Sequence, residues 1–417
     1  MTPQLLRAAW VTPMDRPPIA DGAVLVDGAA IAAVGTAAAL LRASPAATAV
    51  HDFGDAVILP GLVNAHAHLE LSHLTPPVNP GRFIDWISTV LASAGDPATA
   101  ARSAALGAAE SLRFGVTTVG DITRHPAATR PALGGLRAVS YGEVVGMAGR
   151  KHLLPDRLAA ALANTPPIPH LHRAISPHAP YSVAPNGYLE TVSVASALHL
   201  PLTTHLAETA DEAAFLSHHA GAFRELWDRL GAWEDDPFPP FPGTPVAYAQ
   251  SLGLLDHHPY SLAHVNYCSD ADLALLSAGR ASVVYCPRTH AYFNHPPHRW
   301  RDMLSAGVNV AVGTDSRASS PNLNPADDLR HLHRLAPDVP AQALWELATT
   351  RAARTLGLDQ SIGSLTPGKS ADLAIFPSRS NDPLTDILES SSLPSAVWFA
   401  GISMTRGTPS TRCSSSA

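Results

Sequence analysis

From Ile58 onward the chain alternates short apolar runs with longer helix-like segments, and this alternation restricts the fold more than any other feature. Chains that alternate in this way build βα units, whose strands pair in parallel. Eight runs stand out, centred on 58–63, 116–119, 137–141, 173–175, 202–204, 261–263, 282–285 and 309–312. Several are continuously apolar, as strands covered on both faces should be. Between them, 98–114, 185–198, 210–230 and 270–278 read as helices, and 340–358 reads as one more after the eighth run. Eight such units close into a (β/α)8 TIM-like barrel. An open doubly wound sheet is the alternative, but no Gly-rich phosphate turn follows the first run.

The two ends of the chain read differently. From Leu5 to Val57 short β-like runs are broken by glycine, as in Ala23-Val24-Leu25-Val26-Asp27-Gly28. After the last helix, β character returns over 363–376 and at Val397-Trp398-Phe399. The expected architecture is α/β. A barrel spans 58–359, and a small composite β-sandwich domain is built from 1–57 and 360–417. The Pro-rich stretch 237–243 can be neither helix nor central strand, so it reads as a stiff loop or a lid.

A charged fraction of 15% and a hydrophobic fraction of 46% fit a globular enzyme. A net charge of -7 offers no field for nucleic acid or anionic lipid. Cys268, Cys286 and Cys413 are too few and too scattered for a disulfide framework or a Cys-rich zinc site. No apolar run reaches membrane-spanning length, and the expected location is cytoplasmic.

The chemistry gathers where the runs end. The first leads into Val63-Asn64-Ala65-His66-Ala67-His68. In a strand, residues i and i+2 face the same side, so both imidazoles aim at one point, as a metal site needs. In a barrel of this kind the active site lies at the C-terminal ends of the strands. The fourth run leads to His178 and Tyr181, the fifth to His205-Leu206-Ala207-Glu208, and the sixth to His264. The seventh leads to Arg288 and His290, and the eighth to Gly313-Thr314-Asp315-Ser316. Chance scattering of 21 histidines would put as many at the opposite rim. Each residue also has a structural alternative. Asp315 can cap a helix, and Glu208 can sit in a helix's first turn. His264 can be buried and satisfied, and His178 can turn the chain with Pro177 and Pro180. Glu70, Arg288 and His290 are rim candidates for polar groups of a substrate, or solvated side chains. Glu143, at the end of the third run, has no role that the sequence supplies.

An ordered set of motifs runs through nearly the whole chain. It comprises Pro60-Gly61-Leu62-Val63-Asn64-Ala65-His66-Ala67-His68, His205-Leu206-Ala207-Glu208, His264, Gly313-Thr314-Asp315-Ser316 and Pro367-Gly368-Lys369-Ser370-Ala371-Asp372. This set resembles the amidohydrolase superfamily, in its amino-heterocycle deaminase and chlorohydrolase branch. The resemblance implies that His66, His68, His205 and Asp315 bind one divalent metal ion, Zn²⁺ first and Fe²⁺ second. It also implies that Glu208 shuttles protons and that His264 hydrogen-bonds the activated water or the substrate. Asp315 can take the proton of that water, and Glu208 can protonate a ring nitrogen and then the departing amine. Two-metal members usually carry a carboxylated lysine at the fourth strand. The two lysines, Lys151 and Lys369, lie elsewhere, so one metal is expected. His68-Leu69-Glu70 matches the H-x-E of another zinc deaminase class. That class also needs Pro-Cys-x-x-Cys, which is missing, so the match is discounted.

The stretches 66–74, 83–86 and 176–183 resemble the aminodeoxyfutalosine deaminases of menaquinone biosynthesis. These remove ammonia from the adenine ring of a nucleoside-like compound. The expected function is therefore metal-dependent deamination of an adenosine-like nucleoside. Deamination of methylthioadenosine or adenosylhomocysteine and dechlorination of a triazine-like ring are the alternatives. A non-catalytic barrel kept for binding is more remote. The expected partner is a small nucleoside-like molecule, with neither nucleic acid nor membrane, and a homodimer is left open.

Overall fold

The computed structural model describes residues 2–163, 167–235 and 237–404. Cys413 and the end of the expected composite domain, 405–417, lie outside the described residues.

Gly61 is the point where the chain passes from one sheet to another. The apolar run 58–63, read above as one barrel strand, is two half-strands. Ala56–Pro60 pairs with the N-terminal strand Gln4–Val11 and with Leu373–Pro377, outside the barrel. Leu62–Ala67 is the first barrel strand, β1. The expected barrel start at 58 thus falls inside a strand of the other sheet. Hydrophobicity cannot reveal such a break, because both half-strands are fully buried. A side chain at Gly61 would collide with Thr117, its Cβ 2.2 Å from Oγ1, so glycine is needed at the crossing.

The remaining barrel strands are β2 (Val116–Thr123), β3 (Arg137–Val144), β4 (Leu171–Pro177), β5 (Leu202–Leu206), β6 (Tyr260–His264), β7 (Ser282–Tyr285) and β8 (Val310–Val312). Successive strands pair in parallel, in sequence order. The seam between β8 and β1 closes just past β8, where the N–H groups of Thr314 and Asp315 both donate to the His66 carbonyl at 3.1 Å. Every residue of β1, β2 and β5 to β8 is buried, which explains their lack of polar alternation. Val63, Ile122, Val139, Tyr141, Ala174, Val284 and Ala311 fill the barrel interior. Leu356 and Ile362 pack against that interior group.

Two helical expectations need correction. The segment 210–230 is two helices, Asp211–His218 and Ala222–Arg229, because His219 (φ 49°) and Gly221 (φ 82°) turn the chain between them. The segment 340–358 likewise breaks into Ala341–Glu346 and Thr350–Thr355. Within 237–243, Phe238 packs on Phe215 and His219, and the Phe241 N–H donates to the Leu216 carbonyl.

The second sheet draws on both ends of the chain. Its order is Ile402–Ser403, Ala396–Phe399, Leu373–Pro377, Ala56–Pro60, Gln4–Val11, Ile19–Asp27, Ala30–Thr36, with Ala49–Asp52 alongside Gln4–Val11. It buries Leu6, Val24, Ile31, Ile58, Leu373 and Trp398 in a core of its own. A buried ion pair fastens it to the barrel, with Arg137 Nη1 of β3 2.7 Å from Asp372 Oδ2. Among the described residues no helix is long and apolar enough to cross a membrane.

Candidate active site

The seam and the strand ends bring six side chains to one place. His66 lies within β1 and His68 just past it, their ring centroids 5.1 Å apart. His205 comes from β5, His264 ends β6, Asp315 follows β8, and Glu208 lies in the turn after β5. Donor atoms of His66, His68 and Asp315 lie within 4.8 Å of one another, and so do those of His66, His205 and His264. Asp315 Oδ1 is 3.6 Å from His68 Nε2 and 3.9 Å from His66 Nε2.

The hydrogen bonds fix which atoms face inward. His205 Nδ1 donates to the His178 carbonyl at 3.0 Å, which leaves Nε2 as a lone-pair nitrogen. That nitrogen is 3.3 Å from His68 Nε2. Ser319 Oγ donates to Asp315 Oδ2 at 2.9 Å and leaves Oδ1 toward the histidines. The Nε2 atoms of His66 and His264 are buried without a hydrogen-bond partner. Buried polar nitrogens left unpaired are costly unless a ligand satisfies them. Neutral imidazoles with one carboxylate are a donor set that fits a divalent ion such as zinc. Asp315, His264 and Val265 take left-handed backbone (φ 57°, 75° and 52°), which few non-glycine residues adopt and a branched one rarely does. The Val265 N–H donates to the Leu206 carbonyl at 2.9 Å, and His298 Nε2 donates to the His264 carbonyl at the same distance. His298 is itself held by stacking on Tyr285.

Burial sets the protonation states. It pushes the His68 imidazole down to about 3 and that of His178 down to about 4. It drives His66, His205 and His264 well below the ordinary imidazole range as well. All are therefore neutral at pH 7 and free to bind a cation. Burial, and then the Asp315 charge, raises the Glu208 carboxyl well above its ordinary value. A protonated Glu208 is a proton donor, and it lies 3.3 Å from His264 Nε2 and 3.3 Å from the Tyr181 hydroxyl. The Glu212 carboxylate accepts the N–H groups of Ala207 and Glu208, which fixes the turn that carries this acid.

A cavity of about 240 Å³ opens beside the cluster. His68, His178, His205, Glu208 and Asp315 line its polar end. Phe83, Trp86, Ile87 and Val90 of the helix Phe83–Ser93, with Leu226 and Trp227 of Ala222–Arg229, form an apolar wall. An exposed ion-pair network of Arg82, Asp85, Glu225 and Arg229 ties those two helices together. Residues 237–243 do not line this cavity.

The rim candidates divide. His178 lines the cavity, with Nδ1 2.7 Å from Ser182 Oγ. Glu70 lines it too, but its carboxylate accepts from Thr123 Oγ1 and from both N–H and Nε of Arg124. Glu70 therefore orients an arginine. Arg288 and His290 are not among the lining residues. The Arg288 guanidinium is held by Asp328, Asn322 and Asn324, and His290 Nε2 is 2.8 Å from the Pro296 carbonyl. Strand-end position marked both, but side-chain direction took them away. The sequence reading missed Arg124, Arg150 and Arg157 and gave no role to Tyr181, all of which line the cavity. Tyr181 stood in a quoted motif, and Arg124 immediately follows β2. Arg150 and Arg157 lie beyond any strand end, so no local signal marked them.

A parallel barrel with imidazoles and carboxylates converging at its strand ends is an arrangement that can hold a divalent cation beside a cavity. The chain belongs to the amidohydrolase family, whose sequence profile matches residues 57–401. It is a hydrolase acting on carbon–nitrogen bonds. It is 29% identical over 395 residues to a 5-methylthioadenosine/S-adenosylhomocysteine deaminase of Moorella thermoacetica, covering 90% of this chain and 86% of that one. A Halobacterium salinarum protein of the same name is 30% identical over 379 residues, covering 86% and 80%. An adenosine deaminase from Xanthomonas campestris, solved with bound zinc, superposes with a TM-score of 0.82 at 25% identity, covering 96% of this chain and 92% of that one. The Helicobacter pylori aminofutalosine deaminase, in complex with methylthio-coformycin, shares the fold with a TM-score of 0.84 at 23% identity, covering 96% and 100%.

Proposed function

We propose that this protein hydrolytically deaminates an adenosine-like nucleoside, with aminodeoxyfutalosine as its preferred substrate. The observation that carries the reading is the buried acid Glu208, 3.3 Å from His264 and at the same end of the cavity as the His66–His68–His205–Asp315 cluster. Deaminases among its relatives and structural neighbours support it.

His66, His68, His205 and Asp315 hold one divalent ion, zinc before iron. When bound, the ion supplies Lewis acidity that makes water nucleophilic near neutral pH. Asp315 takes a proton from the attacking water. Glu208 gives its proton to the purine ring nitrogen beside the attacked carbon, which raises that carbon's electrophilicity. The His264 Nε2, unpaired in the buried site, hydrogen-bonds the incoming oxygen. The carbon–oxygen bond forms, Asp315 passes the water proton to the amine, the new hydroxyl gives its remaining proton back to the Glu208 carboxylate, and the carbon–nitrogen bond breaks, so ammonia leaves behind a ring carbonyl.

The finer substrate assignment rests on the outer cavity. Arg124, Arg150 and Arg157 line it together with the apolar residues of the two helices. Aminodeoxyfutalosine carries an aromatic carboxylate on its sugar, whereas methylthioadenosine carries a neutral thioether. Guanidinium groups favour the carboxylate. The test is ammonia release by zinc-loaded protein from aminodeoxyfutalosine, methylthioadenosine and adenosylhomocysteine. The highest kcat/KM is expected for the first. An equal or higher value for methylthioadenosine or adenosylhomocysteine overturns the preference, and release from none overturns the deaminase assignment.

A further inference from the structure

One carboxylate in this cavity is not absorbed by the chemistry above. Glu143 lies near the C-terminal end of β3, half-buried, and lines the cavity. It makes no hydrogen bond or ion pair with any described residue, although three arginines line the same space. Arg124 is held by Glu70 instead, and Arg157 Nη1 donates to the Arg124 carbonyl at 3.2 Å. A carboxylate that meets no partner in a cavity is an acceptor awaiting a donor.

Its place in the barrel says which donor. The cation-competent cluster draws on β1, β5, β6 and the end of β8, and further lining residues come from β3 and from just past β2 and β4. From these come Arg124, Glu143 and His178. His205 and Tyr181 line the same cavity as Glu143. Arg150 and Arg157 follow on the next segments, Ala148–Leu153 and Leu154–Leu162. With its purine at the cluster and an anionic tail at these arginines, a nucleoside would place its sugar between the two, in the cavity that Glu143 also lines. An anionic group would be repelled there. A vicinal diol suits the site, because one carboxylate can accept both O–H groups, as acidic residues do for ribose hydroxyls elsewhere.

We propose that Glu143 selects for ribose by accepting hydrogen bonds from the two adjacent sugar hydroxyls, an assignment that rests on the nucleoside reading above. Sites that hydrogen-bond a substrate hydroxyl reject analogues lacking it, because the site's polar group is left unpaired. Zinc-loaded wild type, Glu143→Ala and Glu143→Gln are assayed for ammonia release from adenosine and from 2′,3′-dideoxyadenosine. Calorimetric affinities for inosine and 2′,3′-dideoxyinosine give a second readout, and zinc content checks the fold. Wild type is expected to prefer the ribonucleoside by about 100-fold or more in kcat/KM. Glu143→Ala should shrink that ratio below about 10-fold by losing adenosine activity alone. Glu143→Gln, which keeps one acceptor oxygen, should fall between. Equal handling of both nucleosides by wild type, or an equal loss on both in Glu143→Ala, overturns the assignment while leaving deamination intact. Failure of wild type to deaminate either nucleoside or to bind inosine, while aminodeoxyfutalosine is still deaminated, overturns this assignment alone; failure on aminodeoxyfutalosine as well removes the nucleoside reading and this assignment with it.

Discussion

Gly313→Ala puts a methyl group into the seam that closes the barrel. The added Cβ would sit 2.8 Å from both the Cβ and the carbonyl oxygen of His66 and 3.0 Å from its nitrogen. Atoms in ordinary contact sit about 3.5 Å apart. Two of the three obstacles are backbone atoms, so no rotamer change relieves them. The strand must move several tenths of an ångström away from β1, and it carries Asp315 with it. The two seam hydrogen bonds to the His66 carbonyl, already 3.1 Å, lengthen further. Overpacking of this kind costs about 1–3 kcal/mol. Metal sites tolerate displacements of only about 0.2 Å in ligand position, so the same shift weakens cation binding. Urea unfolding of metal-free protein measures the first effect, and zinc titration against a chelating indicator measures the second. Gly134→Ala is the control. Its Cβ meets nothing within 4 Å and its φ is -49°. It should be neutral or stabilising by about 0.4–1 kcal/mol. If Gly313→Ala unfolds like the control and binds zinc like wild type, the seam does not position the cluster.

Glu208→Gln should keep its zinc and lose turnover by about 10²–10⁴-fold in an ammonia-release assay; unchanged turnover removes this carboxyl from the proton path. Arg137→Ala leaves Asp372 buried and unpaired, so urea unfolding should show a loss of about 3–5 kcal/mol, against little change if the pair were dispensable. Burial pushes the Asp121 carboxyl up to about 8. A raised carboxyl stabilises the fold below its unfolded value near 4, and that contribution drains away as pH rises toward about 8. Metal-free wild type should therefore lose stability from pH 5 to pH 8 relative to Asp121→Asn, and parallel unfolding profiles would contradict the burial argument.

Much of this molecule is legible from local pattern. Eight buried strands announce themselves as apolar runs, and the cluster residues fall at their ends because a parallel barrel offers its chemistry there. The failures are equally physical. Arg288 and Arg124 both follow barrel strands, yet one guanidinium turns onto Asp328 and the other enters the cavity. The helix expected over 210–230 keeps its apolar spacing through the break, and only the left-handed residues at 219 and 221 divide it.

The sequence by itself determined the parallel α/β alternation, the paired histidines at the end of β1, and the presence of Glu208, His264 and Asp315 at later strand ends. These are local properties, set by burial period and by the chemistry of single side chains. The tertiary structure alone decided where the chain leaves one sheet for the other, which arginines reach the cavity, and that Glu143 stands there unpaired. It alone joined Arg137 to Asp372 and His298 to the carbonyl of His264. The reason is that pairing between distant residues depends on how close-packed elements orient their side chains, and no pattern within one segment records that direction.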